Sequence, residues 1–386
     1  MNEASGHQLF TPLKVCGVEL KNRIVISPMC QYSGANGLAT PFHMVHLGQY
    51  ALGGAGLVFT EATAVEERGR ITHADLGLWC DEQIEPLKAI AAFIRRHGAM
   101  PGIQLAHSGR KGSIHMPWEG NGPLTQSDAQ AGLPPWETVA PSPLSYEPNA
   151  RIPTAMTEHD IKAVVHAWGQ AARRAREADF GVLEVHAAHG YLIHQFLSLN
   201  SNQRTDQYGG SLENRMRLLL GIVEAVRQEW PASKPLFVRL SVLDDADDDW
   251  TIEDTCRVVE ALKGRGVDVI DCSSGGISKP GFAIRGRYVP GYQISLAEKV
   301  RRKTGMTCVA VGLITSGAQA EQILTLGQAD LVAIGREALV DPHWAARAAR
   351  QMGADPSFDT WPKQYGWWLD RRERTVAPQP NFVAPR

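Results

Sequence analysis

Residues 180–191 read Phe180-Gly181-Val182-Leu183-Glu184-Val185-His186-Ala187-Ala188-His189-Gly190-Tyr191. The first half is a short apolar run of the kind that forms a buried strand. It stops where the polar side chains begin. In a barrel of parallel strands, that junction is where catalytic groups sit. A turn or first helical turn there would aim both imidazoles and the phenol into one space. Three readings fit the cluster. One is a pair of hydrogen-bonded histidines beside a core tyrosine. The second is a metal site; zinc needs a third protein ligand, and the nearby acid Glu184 lies on the opposite strand face from Val185, which gives that reading thin support. The third is a pair of N–H donors gripping a carbonyl oxygen, with a tyrosine placed to give a proton.

Further apolar runs lie on either side, at 23–27, 56–62, 101–105, 236–241, 267–272, 307–311 and 329–334. Helical patterns separate them at 40–52, 83–98, 157–178, 214–230, 251–263, 293–304 and 316–326, with another helix around Trp344. In 83–98 the apolar positions Ile84, Leu87, Ile90, Ala91 and Ile94 form one stripe. Thr157 is placed as an N-cap. Strands alternating with helices predict a parallel sheet, and the count of strands predicts an α/β fold closed as a (β/α)8 TIM barrel. An open doubly wound sheet usually carries a glycine-rich turn after its first strand. Here Pro28-Met29-Cys30 stands in that place.

Residues 9–20 suit an N-terminal hairpin covering the bottom of the barrel. Residues 112–156 break the rhythm with prolines, glycines, Trp118 and Trp136. They read as a long loop or hairpin insertion after the third strand, capping the mouth. The acidic run 244–249 reads as a solvated loop without a role. The chain, 1–386, is expected to form a single barrel domain with its core at about 9–350 and a C-terminal tail at 355–386.

Composition narrows the function. The formal net charge is -2, so nothing suggests a nucleic-acid or polyanion partner. No apolar run approaches the roughly 20 residues needed to cross a bilayer. The first eight residues, Met1 to Gln8, lack the basic start and apolar core of a leader, which predicts a cytoplasmic protein without a membrane partner. The six cysteines stand at 16, 30, 80, 256, 272 and 308, with no close pair. That spacing excludes a zinc ribbon, a redox Cys-x-x-Cys and a clustered iron–sulfur site, and no metal is expected.

The C-terminal ends of the strands read together as one site. They carry Cys30, Ala62, Gln104, His186, Arg239, Ser273 to Gly276, Gly312 and Gly335-Arg336. A small residue, an amide, a guanidinium and glycine-bearing ends suit a flat, polar-edged, phosphorylated cofactor. Gln104 can donate and accept at a heterocycle edge. Arg239 can set positive charge against a ring oxygen that becomes anionic. Gly312 and Gly335 free backbone N–H groups at the last two strands, where barrels most often bind phosphate, and Arg336 can add a charge-assisted bond. No dinucleotide fingerprint occurs in the right place, so flavin mononucleotide is favoured.

These residues carry a resemblance. The chain resembles the old yellow enzyme family of flavin-dependent ene reductases, in its bacterial, xenobiotic-reductase-like branch, over about residues 9–350. The matching pieces are Leu9-Phe10-Thr11-Pro12-Leu13, Ser27-Pro28-Met29-Cys30-Gln31-Tyr32, 104–111, 186–191, 202–215 and 330–336. The resemblance implies bound FMN, with NADPH (NADH being possible) as co-substrate, and reduction of activated C=C bonds. It implies that Ser27, Pro28, Met29, Ala62, Gln104, Arg239, Ser274, Gly275, Gly312, Gly335 and Arg336 hold FMN. His186 and His189 would bind the substrate's carbonyl or nitro oxygen, Tyr191 would be the proton donor, and Cys30 would stand beside the flavin. Tyr32 and Ile71 would line the substrate pocket. Trp368 or Trp367 would complete the pocket of a neighbouring subunit in a homodimer or homotetramer. One departure is Val311-Gly312-Leu313, where the xenobiotic reductases carry a tryptophan after the seventh strand.

Alternatives are a nitro-compound, quinone or xenobiotic reductase on the same flavin site, a phosphate-binding barrel aldolase or isomerase, a metal-dependent hydrolase, and a non-catalytic flavin carrier. An aldolase needs a Schiff-base lysine and an isomerase paired acids at the strand ends, and neither is read there.

Overall fold

The computed structural model describes residues 6–148, 150–244, 250–277 and 288–376. A short antiparallel hairpin, β1 (Leu13–Val15) and β2 (Val18–Leu20), precedes the barrel. The barrel strands are β3 (Ile24–Ile26), β4 (Leu57–Ala64), β5 (Met100–Ala106), then, after two short strands, β8 (Val182–Ala187), β9 (Leu236–Ser241), β10 (Val269–Ser273), β11 (Thr307–Val311) and β12 (Leu331–Ile334). All pair in parallel and close on themselves, β12 pairing with β3. This is the expected (β/α)8 barrel.

Helices wrap the outside: α1 (Pro41–Leu52), α2 (Ile84–Arg96), α3 (Gln126–Gln130), α4 (Glu158–Glu177), α5 (Leu192–Leu197), α6 (Leu212–Arg215) and α7 (Arg217–Glu229). They continue as α8 (Ile252–Lys263), α9 (Ile294–Thr304), α10 (Gly317–Thr325), α11 (Arg336–Val340), α12 (Trp344–Gln351) and α13 (Lys363–Thr375). The stripe read in α2 is buried at every named position. Thr157 caps α4: its hydroxyl accepts from the Asp160 N–H at 3.2 Å while Asp160 takes the Thr157 N–H at 2.9 Å. Such a reciprocal cap is worth about 1 kcal/mol. Among the described residues no helix is long and apolar enough to cross a membrane.

Strand periodicity sorts the barrel into layers. Val182, Glu184 and His186 share the inward face of β8, while Leu183 and Val185 pack outward in the main core. Toward the bottom the interior is apolar, with Leu20, Val25, Leu57, Phe59, Val182, Phe237, Val269, Val309, Leu331 and Ala333 in one cluster. Leu13, Val15 and Val18 of the hairpin pack against it, as a floor. Above that layer the inward residues turn polar.

Within 112–156, β6 (Val139–Ala140) and β7 (Thr154–Ala155) pair in parallel, so of the two forms expected the insertion takes the loop. Three other points were not anticipated. The tail forms a helix, α13; it has no apolar stripe, since Gly366 is its one buried residue, and so left no periodic signal. The helix read at 214–230 is two, α6 and α7. Asp244 is not solvated: its side chain is fully buried, with Oδ2 3.7 Å from His194 Nε2. The rest of that acidic run, 245–249, lies outside the described residues, as do 1–5 of the segment read for a leader and 377–386 of the tail.

Candidate active site at the barrel mouth

The cluster at 186–191 folds as a tight turn between β8 and α5. His189 and Gly190 both take positive φ, 59° and 70°, which swings the chain back so that three rings meet. His186 packs edge-on against His189 and against Tyr191, with centroids 5.1 Å apart in each case. The turn is stapled from outside. Lys111 Nζ donates to the His189 carbonyl at 2.7 Å, and the Ser241 hydroxyl accepts from the His189 N–H at 3.0 Å.

Both histidines are neutral. Burial first, then the Arg239 charge, hold each imidazole well below its ordinary pKa. A chain of close contacts threads them: Ser273 Oγ to His189 Nε2 at 2.7 Å, and His189 Nδ1 to His186 Nε2 at 3.4 Å. It ends at His186 Nδ1, a buried atom with no partner among the described residues. Both ring nitrogens of His189 are therefore engaged within the protein. Tyr191 keeps its phenol proton, since burial and then Cys30 push its pKa well above the ordinary value.

Two pockets collect the residues singled out in the sequence. One, of about 240 Å³, is lined by Ser27, Met29, His189, Arg239, Gly312, Gly335 and Arg336, together with Ser273 and Gln293. Gly312 has a φ of 132°, which only glycine adopts readily, and a Cβ on Gly335 would face Ser27 and Met29 at 4.0 Å. The other pocket is lined by Ala62, Ile71 and Tyr191, joined by Asp75 and Ser108. Tyr32 sits at a φ of 49° and meets Trp118 of the insertion edge-on at 5.7 Å. The Cys30 thiol is held protonated by burial, then by Glu61 and Asp75.

Below the mouth, Arg239 Nη1 donates to Ser27 Oγ at 3.1 Å, and Gln104 Nε2 donates to Glu184 Oε1 at 2.8 Å. Glu184 is thus tied to an amide rather than to the histidines. Pro28 follows β3 between Ser27 and Met29. Ser274 and Gly275 do not line the larger pocket. The Ser274 hydroxyl donates to Gln293 at 2.6 Å, and the Gly275 N–H and carbonyl are taken by Leu243 and Ser241. Trp368 and Trp367 stand exposed on α13 and line neither pocket.

Sequence reasoning weighed Glu184 only as a third zinc ligand, and did not single out Lys111, Asp271 or Asp75. Three of the four left a signal. Glu184 and Asp271 are acids inside apolar strands, and Glu184 shares the face of His186 two residues on. Lys111 stands in one of the quoted stretches.

The residues fit FMN. The Arg239 guanidinium lines a space whose rim carries Arg336 and two glycines, and the buried His186 Nδ1, behind His189, has no partner among the described residues. A phosphorylated flavin supplies carbonyl and phosphate oxygens for such donors. Fold and site together define a flavin-binding oxidoreductase barrel. Residues 8–355 match the model of the NADH:flavin oxidoreductase / NADH oxidase family. An NADPH dehydrogenase of Bacillus subtilis (strain 168) is 45% identical over 364 residues, covering 93% of this chain and 99% of the relative. Morphinone reductase superposes with a TM-score of 0.74 at 27% identity, over 94% of this chain and 95% of that one. A 2-naphthoyl-CoA reductase gives a TM-score of 0.81 at 26% identity, over 89% of this chain and 52% of that one. The chain belongs to the NADH:flavin oxidoreductase / NADH oxidase family, the old yellow enzymes. Its cofactor is FMN.

Proposed function

We propose that the protein is an ene reductase, reducing activated C=C bonds of enones and related electron-poor small molecules. What supports this is the ring cluster: a neutral imidazole with an unpartnered buried ring nitrogen, edge-on to a protonated phenol. FMN held by these residues would supply the hydride chemistry that couples oxidation of NADPH to reduction at the substrate's β-carbon. His186 and His189 hold the substrate's carbonyl oxygen, His189 exchanging its contact with Ser273 or His186 for the substrate. Charge gathers on that oxygen during the reaction, so donors fixed there favour the transition state over the ground state. Tyr191 gives its proton to the α-carbon; an enolate is basic enough to take it.

Ser27, Pro28, Met29, Ala62, Gln104 and Arg239 hold the ring, Ser274 and Gly275 flank it, and Gly312, Gly335 and Arg336 hold the phosphate. Cys30 lies beside the ring and tunes it; Tyr32 and Ile71 shape the substrate pocket. The chain 1–386 works as one domain in the cytoplasm, where six free cysteines stay reduced. As a homodimer or homotetramer it lends Trp368, 67% exposed on α13, to a neighbour's pocket. Anaerobic mixing of the NADPH-reduced protein with 2-cyclohexenone tests the activity. Return of the oxidised flavin spectrum with formation of cyclohexanone is expected. Flavin that stays reduced with enones but is reoxidised by nitro compounds or quinones would replace this reading.

A further inference from the structure

We propose that Glu184 and Asp271 share a single proton beneath the FMN seat and so fix the charge that Arg239 presents to the cofactor. They act as positioning residues, through Arg239 and Gln104, and the proposal rests on the seating of FMN over Arg239 given above.

The three ionisable groups come from neighbouring strands. Glu184 on β8 and Asp271 on β10 both point inward, with Arg239 on β9 between them and in direct register with Asp271. Glu184 is 0% exposed and Asp271 2%. Gln104 Nε2 accounts for one oxygen of Glu184, and Arg239 Nε, 3.5 Å from Oδ2, faces one oxygen of Asp271. The other two oxygens, Glu184 Oε2 and Asp271 Oδ1, have no donor among the described residues. Yet the two carboxyls stand within hydrogen-bond reach of each other. Two carboxylates so close repel, and one proton between them turns that repulsion into a hydrogen bond. The surroundings supply little else. His186 lies above Glu184 on its own strand, and β5 offers only the amide of Gln104. The inward residues Val25, Leu57, Phe59, Val309, Leu331 and Ala333 do not titrate.

Electrostatics point the same way. Burial, then Asp271, raises the Glu184 carboxyl well above the ordinary range, and burial raises Asp271 against the pull of Arg239. With one proton the pair carries one negative charge, which balances the guanidinium. Without it the group of three would be net negative; with two it would be net positive. Glu184 also dictates which end of the Gln104 amide turns down, since a carboxylate oxygen takes only the N–H side.

The test uses the FMN-loaded protein at neutral pH, as wild type, Glu184→Gln, Asp271→Asn and the double variant. Each single amide copies a protonated partner and leaves the other acid to hold the charge, so each should keep the wild-type midpoint potential. The double variant loses the negative charge and should tighten reduced FMN relative to oxidised FMN by about tenfold or more. Infrared spectroscopy, with Asp75→Asn as a common background so that Asp75 adds no band, should find the carbonyl stretch of a buried protonated carboxyl in the otherwise wild-type protein and lose it when either single change is added. Single variants that each raise the potential would show both acids ionised, and overturn the proposal. A double variant with the wild-type potential also overturns it; if the infrared band is present, the fault then lies with the seat of FMN and not with the shared proton. Should the double variant fail to fold, the band decides: its absence from the wild type, or its survival in the single variants, overturns the shared proton.

Discussion

Gly190 and Gly276 meet backbone to backbone at the mouth of the barrel. A Cβ on Gly190 would come 2.0 Å from the Gly276 carbonyl oxygen, and one on Gly276 would come 2.5 Å from the His189 Cα. The turn that holds His189 and Tyr191 therefore depends on two missing side chains. Gly190→Ala must both relieve that clash and keep a φ of 70°. It should cost about 1–3 kcal/mol of stability. Turnover with an enone should fall by roughly 10²-fold as the rings shift. Steady-state kinetics beside thermal melts will check this; wild-type turnover in the variant would mean the turn tolerates a rebuilt backbone.

Tyr191→Phe separates the two half-reactions. The hydroxyl serves only the step that protonates carbon, so flavin reduction by NADPH should keep its rate. Reoxidation by 2-cyclohexenone should slow by about 10²–10⁴. Stopped-flow absorbance of each half-reaction gives both numbers. Equal slowing of the two would assign the phenol to binding instead of proton transfer.

Asp75 shapes the pocket that Tyr191 lines. Its carboxylate takes the Ile71 N–H at 2.6 Å, the Thr72 N–H at 3.1 Å and the Thr72 hydroxyl at 2.7 Å. Burial, with Glu61 adding, raises its pKa to about 7. It is neutral below that pH and charged above it. Negative charge on the pocket wall opposes charge developing on the substrate oxygen, so kcat/KM for the oxidant should fall as pH rises through about 7. Asp75→Asn should flatten that limb and raise KM by loosening Ile71. A pH profile unchanged by the substitution would point to another group.

His46, on α1, governs part of the acid stability. It stacks on Phe42 with centroids 5.7 Å apart, and burial, then His43, lowers its pKa to about 4. Unfolded, it titrates near 6.5. Between these values the unfolded chain binds a proton that the folded chain does not, so stability falls as pH drops through the window. His46→Gln should lessen the loss between pH 7 and pH 4.5 by up to about 2 kcal/mol. Urea unfolding at the two pH values measures it, and parallel losses in both proteins would contradict it.

The eight strands and the α2 stripe were legible because one-sided burial writes period and length into the chain. The capping box of α4 was legible from Thr157 alone. The hairpin floor was legible from a short, turn-rich stretch before the first barrel strand. What stayed hidden had no periodic signature. The α13 helix buries almost nothing, and Asp244 looks like its acidic neighbours until His194 is folded against it. The Glu184, Arg239 and Asp271 group is assembled across three strands, and only pairing register brings it together. Ser274 and Gly275 stand at a strand end as expected, but their polar groups are spent on Gln293, Leu243 and Ser241.

The apolar plug under the cylinder, sealed by Leu13, Val15 and Val18, turns the molecule into a cul-de-sac. Under the function proposed above, reductant and oxidant reach the flavin by one doorway and take turns, so each in excess should slow the other.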